Sequence, residues 1–82
     1  MKRIQLIHQE QGSECFEVLK STIVEDKKLK QWTIDKNTLL HTLPEHIVNQ
    51  FLDLLGTDER HRSLMLYMIA KGSLVIHCDE ED

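Results

Sequence analysis

Apolar and polar positions first organise at the start of the chain, where Ile4, Leu6 and His8 share one face of a short strand from Lys2 to His8 and Gln5 and Ile7 take the other. Gly12 interrupts this run. Beyond it the period becomes helical: Ser13 suits an N-cap, Glu14 and Glu17 suit the positive end of a helix, and Cys15, Phe16, Leu19 and Ile23 share one side. The spacing of Lys27, Lys28, Lys30, Leu29 and Trp32 favours helix to about residue 28 and a short extended piece after it. Thr22, Ile23 and Val24 prefer strands, so a hairpin over residues 22–34 turning near Asp26 is the competing expectation.

Asp35 can cap a short helical turn carrying Leu39, Leu40 and Leu43, and Pro44 permits a new helix to begin. Thr42 and Glu45 have the spacing of a capping box. Ile47, Val48, Phe51, Leu52 and Leu55 then draw one apolar stripe that Gly56 stops. Thr57 or Asp58 caps a further helix, whose nearly unbroken apolar run from Leu64 to Ala70 predicts burial on most sides before Lys71 and Gly72 end it. Leu74 to Cys78 lack alternation and predict a last strand covered on both faces.

Two terminal strands around a helical middle bury their surfaces most simply side by side under the helices. The expected fold is α+β: one domain over residues 1–82, with a two- or three-stranded sheet formed by the chain termini and two to four helices packed on it. Two strands are marginal alone, so a third from residues 29–34, or edge pairing with a second subunit, is expected.

Charge sharpens this picture. The net charge is -4, and Asp79, Glu80, Glu81 and Asp82 account for all of it, because the other acids balance the ten Lys and Arg residues. The body is therefore neutral and the acidity is a C-terminal tail. A neutral body lacks the broad positive field of a nonspecific nucleic-acid binder. The apolar run after Met1, Lys2 and Arg3 is too short for a secretory signal, and no stretch reaches the roughly 18 apolar residues of a membrane span. Cytoplasmic residence without membrane contact is expected, with Cys15 and Cys78 as free thiols or at most a transient redox pair.

Candidate chemistry is sparse. His8, Cys15, His77 and Cys78 offer nitrogen and sulfur donors of the kind zinc takes, but no C-x-x-C or H-x-x-x-H spacing is present, and His77 and Cys78 point to opposite faces of a strand. Cys15 falls in the first turn of its helix, where a dipole can favour a thiolate. Glu10, Glu14 and Glu17 oppose that, so core packing is the stronger reading. His41 and His46 flank Pro44 with no motif that would make them ligands. Walker loop, dinucleotide fingerprint and nucleophile elbow are all missing, so no enzyme activity, metal or cofactor is expected.

Three binding features remain. Leu64 to Ile69 carry more apolar surface than one small core readily accepts, and Leu54 falls off the main stripe of the preceding helix. A homodimeric protein-binding regulator or inhibitor is thus the first functional expectation, using Leu54, Met65, Tyr67 and Met68 with the acids Asp79, Glu80, Glu81 and Asp82. The alternative is nucleic-acid binding by Lys27, Lys28, Lys30, Trp32, Arg60 and Arg62, with Lys36 nearby, since cations beside an aromatic suit single-stranded contact. The plainer reading of that segment is a solvated lysine face with Trp32 anchoring a loop. Asp58 to Arg62 also has the spacing of a local i, i+4 pair. A small thiol or metal protein is the third expectation.

Overall fold

Strands β1 (Lys2–Ile7) and β4 (Val75–Glu80) pair antiparallel, so the two ends of the chain form one two-stranded sheet. The structure is a computed structural model that describes residues 2–7 and 14–80, and the side chains of residue 4 and of residues 14–78. His8, Glu10, Gly12, the Ser13 cap, Glu81 and Asp82 lie outside the described residues. Ile4 faces Cys78 in the register. The Ile4 backbone N–H on the outer edge of β1 donates to Gln50 Oε1 at 2.8 Å. Leu74, Val75, Ile76 and Cys78 are all buried, as the missing alternation predicts.

Helix α1 (Glu14–Ser21) buries Phe16 and Leu19 and ends earlier than the sequence favours. Ser21 Oγ donates to the Val18 carbonyl at 2.6 Å, and Thr22 Oγ1 donates to the Leu19 carbonyl at 2.7 Å. Hydroxyls therefore take carbonyls that a continuing helix would use. The helix to residue 28 does not form, and the competing hairpin does: β2 (Ile23–Asp26) pairs antiparallel with β3 (Gln31–Ile34). The turn follows Asp26, whose Oδ1 accepts the Leu29 N–H at 3.0 Å, and Lys30 supplies the left-handed residue with φ 55. Residues 31–34 are thus a strand, but of a second sheet and not a third member of the terminal one.

Asp35 caps α2 (Lys36–Thr42) as expected: its carboxylate accepts the Thr38 N–H at 3.3 Å and the Thr38 hydroxyl at 2.8 Å. The Thr42–Glu45 capping box is absent, because Thr42 is still helical and its hydroxyl donates to the Thr38 carbonyl at 2.6 Å. Pro44 instead precedes α3 (Glu45–Leu55) with no side-chain cap. Ile47, Val48, Phe51 and Leu55 are buried along the expected stripe, and Gly56 stops the helix at φ 76, a conformation that favours glycine.

Helix α4 (Glu59–Ala70) starts at Asp58, whose Oδ1 accepts the N–H groups of Arg60 and His61. Capping, not an ion pair with Arg62, is therefore what this carboxylate does. Met65, Leu66 and Ile69 enter the core with Phe16, Leu19, Leu39, Val48, Phe51 and Leu55. Each such side chain contributes about 1.5–3 kcal/mol by leaving water. The apolar run is less enclosed than expected, since Leu64 is 56% exposed and Tyr67 44%. Among the described residues, four helices and two antiparallel strand pairs make a small α+β domain. No described helix is long and apolar enough to cross a membrane.

Candidate functional site: the Trp32 face

Hairpin and helix meet at Trp32. Its backbone N–H donates to Ser63 Oγ on α4 at 2.9 Å. Its ring meets that of Tyr67 edge to face, with centroids 5.7 Å apart and planes at 66°. Lys71 Nζ lies 5.5 Å from the centre of the Trp32 ring, a cation–π contact. Ser63, Tyr67 and Lys71 succeed one another at i, i+4 and i+8, so one face of α4 and its C-cap residue supply all three contacts.

Two grooves flank this cluster and share Gln31, Trp32 and Glu59. One, of about 230 Å³, runs between Thr33, Ile34 and Lys36 on one side and Arg62 and Leu66 on the other. The second, of about 450 Å³, is bounded by Lys30, Arg60, Ser63, Leu64 and Tyr67. Four cations, Lys30, Lys36, Arg60 and Arg62, therefore line the two grooves against the single carboxylate of Glu59. Two segments distant in sequence supply them, Lys30 and Lys36 from around the hairpin and Arg60 and Arg62 from the start of α4.

The structure gathers the nucleic-acid candidates Lys30, Trp32, Arg60 and Arg62 at this face, while Lys27 and Lys28 are exposed in the hairpin turn. It scatters the candidate partner residues. Met65 is 8% exposed and belongs to the core, because its position on α4 points at the helices and not at solvent. Leu54 and Met68 are half-buried and pack against that core. Only Tyr67 of this group reaches the Trp32 face. Asp79 and Glu80 lie in β4, opposite Arg3 and Lys2 in the register. Half of the acidic tail is thus strand.

Cys15 and Cys78 are joined by a disulfide, with 5.9 Å between their Cα atoms. This corrects the expectation of free thiols. Pairing of the chain ends brings β4 under α1, and the sulfurs meet across 63 residues of sequence separation. A disulfide also withholds both sulfurs from a metal, and among the described residues no group of three or more His, Cys, Asp or Glu side chains could hold one. His77 is half-buried beside Cys78, and His41 and His46 are exposed.

The Thr38 hydroxyl, then the Thr38 backbone N–H, stabilise the Asp35 carboxylate and hold it below the usual range. This is helix capping, and it adds no acid or base to the Trp32 face. Sequence reasoning missed Ser63 and Lys71 as members of the face. Their spacing of four residues on either side of Tyr67 was a visible signal, but its partner at Trp32 was not. Comparison with protein-family models, with curated proteins and with solved structures finds no match to this chain.

Proposed function

We propose that this chain is a non-enzymatic binding module, a small regulator or inhibitor that docks a protein partner on the Trp32 face. The observation that carries the reading is the combination of exposed apolar surface at Leu64 and Tyr67 with the flanking cations Lys30, Arg60 and Arg62. Aromatic residues and arginine are enriched where proteins bind one another, and exposed apolar patches rimmed by polar groups mark such sites. Trp32 itself is half-buried, and its contacts with Tyr67 and Lys71 give the face a fixed shape. Self-association through this face into a homodimer belongs to the same reading. So does a second contact by the acidic end, Asp79 to Asp82.

The test is affinity purification with mass spectrometry on the wild-type chain and on Leu64→Asp, with sedimentation velocity on both. The reading expects a partner or a second copy that the wild type retains and Leu64→Asp releases. A monomeric wild type with no partner sensitive to this substitution would contradict it.

Single-stranded nucleic acid is the second reading, favoured by the convergence of Lys30, Arg60 and Arg62 around an aromatic residue. Base stacking there would have to displace Lys71 from the Trp32 ring, and the neutral body of the chain supplies little long-range attraction. Binding of mixed oligonucleotides at low salt, lost as salt is raised, is the result this second reading requires.

A further inference from the structure

We infer that the partner presents an extended acidic segment, which lies across Trp32 and pairs with the edge of β3 at Ile34, left open among the described residues. The inference rests on the docking role of the Trp32 face and names what occupies it. Its first support is the backbone. The Asp35 N–H donates to the Thr22 carbonyl at 2.8 Å, so at this end of the hairpin the N–H of residue 35 points toward β2. Strand geometry alternates at every residue. The N–H groups of Thr33 and Gln31 therefore also point at β2, and those of Ile34 and Trp32 point away. Trp32 obeys this rule, because its N–H leaves the hairpin and ends on Ser63 Oγ. Ile34 presents its N–H and C=O on the same edge, beside the groove that Gln31 to Ile34 line. A strand edge of this kind recognises extended peptide through main-chain hydrogen bonds.

The second support is charge. A segment that pairs with Ile34 enters a groove whose cations are Lys36 and Arg62, and on crossing Trp32 it meets Lys30 and Arg60. Within the groove linings only Glu59 opposes them, with Glu25 across the hairpin from Trp32 in the register. An arginine can take a carboxylate with two parallel hydrogen bonds, so Arg62 and Arg60 favour acidic side chains over neutral ones. The apolar walls, Leu66 on one side and Leu64 and Tyr67 on the other, ask for apolar side chains in between. Alternation of acidic and apolar residues satisfies both demands in an extended chain. The tie between Trp32 and Ser63 limits pairing to the Ile34 end, so the segment is short.

Trp32 is the only tryptophan of the chain and reports directly on the face. A short peptide alternating Glu and Val should change its fluorescence saturably and shift the backbone amide of Ile34 in nuclear magnetic resonance spectra. The corresponding Lys and Val peptide should do neither. Arg62→Glu and Lys36→Glu should each weaken binding about tenfold, equivalent to about 1.4 kcal/mol. Lys20→Glu on α1 makes the same charge change away from the face and should leave binding within about twofold. Equal weakening by Lys20→Glu and Arg62→Glu, or binding that leaves the Ile34 amide unmoved, would overturn the inference. So would a single-stranded oligonucleotide that binds where the acidic peptide does not. If the peptide fails while a captured partner is still released by Leu64→Asp, the acidic segment alone is wrong. If both fail, the docking role of the face falls with it.

Discussion

The Trp32 N–H donates to Ser63 Oγ at 2.9 Å, and this bond ties the hairpin edge to α4. Both residues are half-buried, so the donor would be left partly unsatisfied if the hydroxyl were removed. Ser63→Ala should cost about 1–2 kcal/mol in urea unfolding and alter Trp32 fluorescence in the native state. An unchanged midpoint would mean that the aromatic contact with Tyr67 alone holds the hairpin in place.

The Cys15–Cys78 disulfide should be the largest single stabilising contribution, since it closes a long loop between α1 and β4. Reduction should lower the unfolding free energy by about 2–4 kcal/mol. The Cys15→Ser, Cys78→Ser double variant should unfold at that lower midpoint with or without reductant. The same experiment bears on residence, because disulfides persist in oxidising compartments and are rare in the cytosol. Intact protein mass before and after thiol alkylation reads the oxidation state directly.

Asp35 should make stability depend on pH at the acid end. Its hydrogen bonds with Thr38 hold the folded-state carboxyl below the usual range. The cap therefore contributes fully above the ordinary carboxylate range and is lost as pH falls through the lowered value. Asp35→Ala should melt at a lower temperature than wild type near neutral pH, and the gap should close in acid. A gap that persists unchanged at low pH would show that the cap acts through something other than its charge.

These cases also mark how far the sequence could be read. The caps at Asp35 and Asp58 and the α3 stripe through Ile47, Phe51 and Leu55 were legible, because each depends on residues within a few positions of one another. The hairpin was not favoured, because its formation turned on Ser21 and Thr22 hydroxyls taking helix carbonyls and on Lys30 accepting a left-handed backbone. Lysine spacing that suits a helix carried no trace of either. At the Trp32 face the same division holds: Lys30 and Trp32 were visible as a local group, and Arg60 and Arg62 as another. Their meeting depends on the packing of β3 against α4, as does the meeting of Cys15 with Cys78 on that of α1 against β4.

The acidic end separates into two parts that truncation should distinguish. Asp79 and Glu80 continue β4 opposite Arg3 and Lys2, and opposite charges across a ladder stabilise it. Removing Glu81 and Asp82 alone should leave the melting temperature unchanged. Removing all four residues should lower stability by roughly 1 kcal/mol, because the last two register pairs of the terminal sheet go with them. Equal melting of both truncated chains would deny these charges any part in the fold and leave them to partner binding.

The docking face itself is tested most directly by photo-crosslinking from single positions in living cells. A photoreactive phenylalanine analogue at position 67, beside Trp32, should give a discrete adduct with a partner protein or with a second copy of the chain. The same analogue at position 49, where Asn49 is exposed on α3, should give none. An adduct from position 49 with none from position 67 would contradict the central claim that the Trp32 face is where this protein binds.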